Sequence, residues 1–379
     1  MNLKFKRYVY YPLFLIVITV VFASAASFNI KYKLQQSYIT QNIKLAQQTG
    51  LPKPTVRIAI INSYSSTHPC TVPQVDGFVD FLAQYSKIFN FDIRALYMET
   101  KTHNTTPSLM DRAAQEAFHF IKNFDPDIIY TTDDNAARLV GIPASLTHIV
   151  IASGINRPAY SYIHDYHLTP EKHRIIFVQE QIRLDNFFQL IQQNYIFIDK
   201  AYILIEPDNM MTITGYYMLQ NYLNEIRGKI PRYEVIRIAS TADLRAFLQK
   251  LNKNDEQNVL LIIAAQRIYN DKGELVPKTA YIPILRKYNH HFLELGGNPQ
   301  FCRVGLAICD APSFDSMGQI SGAITIDFLL KKYYHLDTQV PKFVTWTNGV
   351  TTLAVNEKRL RKLGYYSILN HASLINRIY

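Results

Sequence analysis

The stretch RIAIINSYSSTHPCTVPQVDGF, from Arg57 to Phe78, decides the fold class. Residues Ile58 to Asn62 form the apolar run of a buried strand, and a loop with hydroxyl groups and one aromatic ring follows directly. In an open α/β sheet, the loop that leaves the carboxyl end of a strand is where ligands bind. The stretch has no glycine before Gly77, which excludes the glycine-rich loops that hold nucleotide phosphates.

The composition is that of a folded chain with room for two domains. Of its 379 residues, 48% are hydrophobic and 18% are charged, which excludes a disordered chain. The formal net charge is +10, but the basic residues are scattered and no nucleic-acid-binding motif is present. The densest basic run, NEKRLRKLG at 356–364, is interpreted as one solvated helix face. No nucleic-acid partner is therefore expected.

The N-terminus predicts export. Three basic residues precede an uncharged stretch from Tyr8 to Ile30, and the small residues at 23–25 are typical of a signal cleavage site before Ala26. The uncharged stretch is also long enough for an uncleaved membrane anchor. Residues 1–29 are thus a signal peptide or an anchor, and residues 30–54 a spacer. Either alternative places the rest in the periplasm or outside the cell, secreted or anchored to the inner membrane by residues 8–30.

Short apolar strands alternate with helical patterns from Val56 onward, and after four such units the pattern begins again. This alternation predicts an α/β fold with two doubly wound parallel-sheet lobes, preceded by the N-terminal apolar helix. The expected first lobe is 55–158, completed by 268–310, and the second is 159–267, completed by 311–379. A helix is predicted over 281–296 and a strand over 301–310.

The cysteines are predicted to be reduced. Cys302 and Cys309 are both on the predicted strand over 301–310, which would place them ~23 Å apart on opposite faces. A disulfide between them is then impossible. Cys70 could pair with either one, and the sequence does not decide this. Neither C-x-x-C nor H-E-x-x-H occurs, so no metal site is expected.

Polar side chains follow the predicted strands, and each admits more than one role. Thr132 or Asp133 could cap a helix, and Asp133 and Asp134 could contact a ligand, ligate a metal or form an acid/base pair. Tyr64 could be a core residue or a stacking wall for a ligand. Asp310 could be a cleft carboxylate or a turn-stabilising residue. No nucleophile motif and no ordered Ser/His/Asp set occurs.

Several stretches resemble the ABC-transporter substrate-binding proteins of the type that includes tryptophan-binding proteins. They span about Val56 to Tyr366, nearly the whole mature chain, and the most specific part is the order of the last motifs. The matching stretches are VRIAIINSYSSTHP, YMETK, FDPDIIYTTDDNAARLV, IVIASGIN, LLIIAAQRIYNDKG, FDSMGQISGAITIDFLLK and TTLAVNEKRLRKLGY. Unlike the Gram-positive members, the chain has no lipoprotein cysteine, and its spacer suits a tether or a sensor.

The resemblance implies a type I periplasmic-binding-protein-like fold with hinge crossings, closure around a small molecule, no enzyme activity and no cofactor. It implies an ABC permease or a membrane sensor as partner. The ligand is expected to be an amino acid or a similar uncharged or zwitterionic metabolite with an apolar part. A two-lobed enzyme, such as a metal-dependent sugar transferase, is the alternative. The resemblance places the ligand against Ser63, Tyr64, Thr132, Asp133, Asn156, Asp208 and Asp310.

Overall fold

The computed structural model describes residues 36–180, 182–206, 213–254, 256–265, 268–338, 343–346 and 351–379. The predicted signal or anchor at 1–29 and the predicted ligand residue Asp208 lie outside these ranges. Within the ranges, none of the helices combines the length and the apolar character needed to cross a bilayer.

Helices and strands alternate along most of the chain. The helices are α1 (36–48), α2 (Thr71–Ala83), α3 (Pro107–Phe124), α4 (Asp133–Ala136), α5 (Ile142–Ala144), α6 (Ala159–Asp165), α7 (Asp185–Gln193), α8 (Ile213–Ile226), α9 (Thr241–Leu251), α10 (Tyr281–Tyr288), α11 (Pro299–Arg303), α12 (Phe314–Tyr334) and α13 (Glu357–Leu363). The strands are β1 (Thr55–Asn62), β2 (Asn90–Tyr97), β3 (Ile128–Thr132), β4 (Ile149–Ile155), β5 (Ile175–Gln179), β6 (Lys200–Ile205), β7 (Arg232–Arg237), β8 (Val259–Ile263), β9 (Ile268–Tyr269), β10 (Leu275–Val276), β11 (Leu293–Gly296), β12 (Ile308–Pro312), β13 (Val344–Trp346), β14 (Thr351–Val355) and β15 (Arg377–Ile378).

Two main sheets confirm the predicted α/β class. The first has the order β13-β5-β4-β3-β1-β2, and all of its strand pairs are parallel. The second has the order β15-β14-β12-β11-β8-β6-β7, with β14 antiparallel to β12. Each sheet has buried apolar clusters on both faces, as a doubly wound sheet requires. We call each sheet with its packed helices a lobe.

The chain crosses between the lobes at three places, and the predicted boundaries were wrong. It leaves the first sheet after β5, returns after β12 into α12 and β13, and crosses again before β14. Hence 175–179 belongs to the first lobe, 268–312 to the second, and 314–346 to the first. The reason is that β5 extends the parallel sheet beside β4. An apolar strand pattern does not specify which sheet edge the strand joins.

The predicted spacer also belongs to the body from residue 36 onward. Ile39 and Ala46 of α1 are buried in the core of the first lobe. The Tyr38 hydroxyl group donates a hydrogen bond to Asp327 Oδ1 on α12 at 3.2 Å. Residues 36–48 therefore form a docked helix of the first lobe.

Helices α2 and α12 cross at backbone contact. A Cβ atom on Gly318 would lie 2.1 Å from the carbonyl oxygen of Gln74, and one on Gly77 would lie 2.3 Å from that of Asp315. No side chain fits at these distances. The GQISG motif, whose order carried much of the family resemblance, therefore acts here in helix packing, at the point where α12 joins the first lobe.

The segment with two cysteines differs from its predicted form. The predicted helix over 281–296 ends at Tyr288, and its last residues form β11 instead. The predicted strand over 301–310 is divided into α11 and β12 by a turn in which Gly305 has φ = 117°. The chain reverses there, which brings Cys302 and Cys309 together. The inference that they lie ~23 Å apart was therefore wrong, since it assumed one continuous strand.

The basic run at 356–364 is only partly a solvated face. Lys358, Arg361 and Lys362 are exposed, but Arg359 is 3% exposed. Its guanidinium group forms a buried ion pair with Glu294, with Nε 3.1 Å from Oε2 and Nη2 on Oε1. Glu294 lies on β11, so this pair joins the C-terminal helix α13 to the second sheet.

Candidate functional site

The loop after β1 is tied to the loop after β3. The Ser63 hydroxyl group donates to the carbonyl oxygen of Thr132 at 2.6 Å and accepts from the amide of Ala136 at 2.8 Å. Thr132 Oγ1 donates to Asn62 Oδ1 at 3.0 Å. The structure thus brings the predicted residues Ser63 and Thr132 together. Their side chains make internal bonds that hold the rim of the sheet rather than presenting free hydroxyl groups.

Tyr64 forms a buried aromatic wall beside that rim. Its ring is 3% exposed and lies 4.4 Å from the His68 ring, centroid to centroid. The Nζ of Lys101 sits 3.6 Å from the Tyr64 centroid, in cation–π geometry. Burial raises the pKa of Tyr64 well above its usual value, and the nearby Asp133 raises it further. The Tyr64 hydroxyl group therefore stays protonated, and the ring is an apolar surface that Lys101 contacts.

Asp133 begins α4 in a strained conformation. Its φ is 64°, in the left-handed region that non-glycine residues rarely occupy, and it is 3% exposed. The Thr132 side chain does not cap this helix. Strain that the surrounding structure maintains at a buried carboxylate is typical of functional positions. Of the two adjacent aspartates, Asp133 is the candidate ligand contact.

Asp134 has a structural role instead. Its carboxylate accepts hydrogen bonds from the amides of Asn156 and Arg157, each at 3.2 Å, and from the Tyr162 hydroxyl group at 2.8 Å. These contacts fix the loop between β4 and α6. Burial raises the pKa of Asp134, and these hydrogen bonds oppose the rise. An acid/base pair of Asp133 and Asp134 is disfavoured, since the second carboxylate is already saturated.

Glu180 is a site residue that the sequence analysis missed. It follows β5 where the chain leaves the first lobe, and it is 6% exposed. Burial raises its pKa to about 8, with further increases from Asp133 and Asp134, while Lys101 and a hydrogen bond with Asn156 oppose them. The signal was present in the sequence, because RIIFVQE is an apolar strand followed by a carboxylate, as β3 is followed by Asp133.

Asn156 lies beside Glu180 and forms a side-chain hydrogen bond with it. It is 5% exposed, and its Nδ2 donates to the carbonyl oxygen of Gly154 at 3.4 Å. Its Oδ1 accepts no hydrogen bond from the part of the chain that the structure describes. A buried acceptor without a donor is costly, so a donor on a ligand would stabilise it.

One tyrosine of the second lobe interacts electrostatically with Glu180. Tyr222 of α8 is fully buried, and its hydroxyl group has no hydrogen-bond partner among the described residues. Burial raises its pKa, and so do Cys309, Asp310 and, from the first lobe, Glu180. Asn298 Nδ2 of the second lobe donates a hydrogen bond to Cys70 Sγ of the first lobe at 3.8 Å. We call the group Tyr64, Lys101, Asp133, Asn156, Glu180 and Tyr222 the cleft cluster.

Asp310 lies next to the crossings between the lobes, and it interacts electrostatically with Tyr222. It is fully buried near the end of β12, and its Oδ2 accepts from the amide of Phe187 in the first turn of α7 at 3.0 Å. Burial raises its pKa to about 7, and a hydrogen bond with Thr351 of β14 opposes the rise. Asp310 thus joins three segments, each of which adjoins a crossing between the lobes.

The described residues include no group of three or more His, Cys, Asp or Glu side chains arranged to hold a metal ion. The cleft cluster offers instead two carboxyl groups, an amide oxygen, one cation and two aromatic rings. Such a set can bind a small molecule by hydrogen bonds, charge and stacking.

Comparisons with known proteins were made at the levels of sequence and structure. No family model matches the chain, and no curated protein matches it in sequence. A conserved domain protein from Vibrio cholerae has TM-score 0.56 and 12% identity, over 86% of this chain and 99% of the other. An ABC domain in complex with L-Trp from Streptococcus pneumoniae has TM-score 0.56 and 12% identity, over 85% and 100%.

A third solved structure is the ligand-free, open form of a substrate-binding protein with adhesive properties from Clostridium difficile. It has TM-score 0.55 and 15% identity, over 82% of this chain and 95% of the other. These likenesses establish the fold: the chain has the type I periplasmic-binding-protein-like fold that the resemblance predicted.

Proposed function

We propose that this protein is an extracytoplasmic solute-binding protein that captures a small molecule between its two lobes and presents it to an ABC permease or a membrane sensor. The observation that carries the proposal is the set of buried polar residues at the strand ends of the first lobe, where Glu180 lies close enough to the second lobe to interact electrostatically with Tyr222. Solved proteins of this fold bind L-Trp and sugars, by their own descriptions. In this account the chain acts by binding, without catalysis.

The chemistry of the cleft cluster favours a ligand with a protonated nitrogen. Asp133, Glu180 and the unpartnered Oδ1 of Asn156 are acceptors, and a buried acceptor set is complementary to a donor with positive charge. The Tyr64 ring suits an apolar part of the same molecule. Lys101 has no carboxylate within ion-pair distance among the described residues, so it could balance a ligand carboxylate. A zwitterion with an apolar side chain fits all of these groups.

The alternative of a metal-dependent transferase lacks a comparable observation. It depended on Asp133 and Asp134 acting together, and the Asp134 carboxylate is engaged by two amides and a tyrosine hydroxyl group. Membrane attachment through residues 8–30 and a periplasmic location remain parts of the proposal that rest on the sequence. The docked helix α1 would then hold the first lobe close to the bilayer.

A thermal-shift screen of the full chain tests the proposal, after unfolding and refolding to remove any carried ligand. The library holds amino acids, amines, carboxylates, nucleosides and sugars, with and without divalent metal. A ligand at 100 times its Kd adds about 2.7 kcal/mol of stability. Stabilisation by amine-bearing compounds without metal, lost in Glu180→Ala but kept in the surface variant Tyr160→Ala, supports the proposal. Stabilisation only by a nucleotide sugar with metal would contradict it.

A further inference from the structure

Two thiol groups meet inside the second lobe. Cys302 of α11 and Cys309 of β12 are both fully buried, and their Sγ atoms are 2.8 Å apart. This is shorter than an ordinary non-bonded contact between sulfur atoms. Cys302 Sγ also lies 3.4 Å from the carbonyl oxygen of Ala354 on β14. The turn at Gly305 directs the two side chains toward each other.

We propose that Cys302 and Cys309 form a structural disulfide that joins α11 to β12. A disulfide has an S–S length near 2.05 Å, so the Sγ atoms need to approach by about 0.8 Å. The two elements already pack together in one apolar cluster, which leaves that approach to side-chain rotation and small backbone shifts. The inference rests on this geometry and is independent of whether the cleft binds a solute.

The reaction is thiol–disulfide exchange with a disulfide oxidant, either a small molecule such as oxidised glutathione or an oxidoreductase. One cysteine thiolate attacks the oxidant and releases a thiol, and the second cysteine thiolate then displaces the other half. Two electrons pass to the oxidant, one S–S bond breaks and one forms. The protons of the two cysteines end on the two released thiols.

The burial of the pair places this step before folding is complete. In the folded lobe, burial raises the pKa of Cys302 well above its usual value, and the contact with Cys309 raises it further. The thiolate needed for exchange is therefore scarce in the native state and available in the unfolded chain. Once formed, the bond is shielded from reductants by the same burial.

Cys70 is the contrasting cysteine. It is partly exposed in the first lobe, and its Sγ accepts a hydrogen bond at 3.8 Å from Asn298 Nδ2 of the second lobe. The alternative that Cys70 pairs with Cys302 or Cys309 would link the two lobes and oppose their opening. The pairing proposed here lies within one lobe and leaves the lobes free to move.

The bond would stabilise the strand that carries the hinge. Asp310 is the residue after Cys309, and its carboxylate accepts a hydrogen bond from the amide of Phe187. A covalent link at Cys309 holds the start of β12 against α11. It therefore keeps Asp310 in position for its hydrogen bond with α7. We infer a structural role in the second lobe, with no part in ligand contact.

Peptide mapping tests the pairing directly. The full chain is refolded from denaturant in a glutathione redox buffer, its free thiols are blocked with N-ethylmaleimide, and it is digested with trypsin without reduction. Cleavage after Arg303 separates the two cysteines, so a disulfide appears in the mass spectrum as peptides 288–303 and 304–331 joined together. We expect that species to dominate, with Cys70 alkylated on its own peptide.

A second measurement distinguishes a structural bond from an incidental one. Wild-type protein refolded with dithiothreitol should melt several degrees below protein refolded in the redox buffer. The double variant Cys302→Ala/Cys309→Ala should lose this difference, and Cys70→Ala should keep it. Alkylation of both Cys302 and Cys309 in the refolded wild type, or a peptide that links either one to Cys70, would overturn the proposal.

Discussion

The carboxyl group of Glu180 lies close enough to Asp133 for their charges to interact inside a buried region of the first lobe. Burial, together with Asp133 and Asp134, raises the pKa of Glu180 to about 8. Glu180 is therefore largely protonated at neutral pH, because the carboxylates of Asp133 and Asp134 would repel its charged form. A cationic group on a ligand would relieve that repulsion and favour the charged form of Glu180.

The pH dependence of stability should report this group. The pKa of Glu180 is near 4.5 when unfolded and about 8 when folded, so between these values the folded state holds the additional proton. The free energy of unfolding must then fall as pH rises from 5 to 8, by about 5 kcal/mol at most. Glu180→Gln should remove this contribution, and urea titrations at pH 5 and pH 8 measure it.

Comparison with the variant is essential, because burial also raises the pKa of Asp310 to about 7 and that of Asp327 to about 6. Asp310 and Asp327 also make the free energy of unfolding fall as pH rises, and both residues are present in the wild type and in Glu180→Gln. The difference between wild type and Glu180→Gln isolates Glu180. Equal slopes in the two proteins would show that Glu180 is not protonated in the folded state.

The adjacent aspartates should separate binding from stability. Asp133→Asn keeps a residue that tolerates the left-handed conformation. It should weaken binding of a ligand found in the screen by about tenfold to a hundredfold, in keeping with the loss of a charged hydrogen bond. Titration calorimetry measures this effect, and the melting temperature of the ligand-free protein should change little.

Asp134→Asn is the matched variant, and it should reduce stability rather than ligand binding directly. An amide cannot accept the three hydrogen bonds that the Asp134 carboxylate takes from Asn156, Arg157 and Tyr162. We expect a loss of about 1–3 kcal/mol in the free energy of unfolding. Equal loss of binding without loss of stability in both variants would show that Asp134, too, contacts the ligand.

Gly318→Ala should destabilise the first lobe. The added Cβ would lie 2.1 Å from the Gln74 carbonyl oxygen, so α12 must move away from α2. We expect a cost of about 1–3 kcal/mol or more, by urea denaturation. Lys331→Ala is exposed on the same helix and should change stability by no more than about 0.5 kcal/mol. A neutral Gly318→Ala would contradict the observed helix contact.

Arg359→Met should be among the most destabilising single changes in the second lobe. It removes the partner of Glu294, which is fully buried and also accepts from Asn289 Nδ2 at 2.8 Å. Leaving a buried carboxylate without its cation costs about 3–5 kcal/mol. The double variant Arg359→Met/Glu294→Gln should recover part of this loss, which a double-mutant cycle measures.

The sequence predicted the fold class because strand and helix periodicities are local. It also predicted that Ser63, Tyr64, Thr132, Asp133 and Asn156 lie at one edge of the sheet, since these residues follow apolar strands that end there. It did not predict which lobe β5 and α12 join, because that depends on free sheet edges and on glycine contacts between distant helices. Glu180 also follows an apolar strand, but its position beside Asn156 depends on the pairing of β5 with β4, which the local sequence does not specify.

Small-angle X-ray scattering of the full chain, with and without a ligand from the screen, tests the central claim most directly. Tyr64, Glu180 and Tyr222 are all buried in the structure, and the proposed function requires the lobes to open before a ligand enters between them. The account predicts a smaller radius of gyration with ligand than without, and no such change in Glu180→Ala under the same conditions. Identical scattering for the free and ligand-saturated wild type would contradict capture between the lobes.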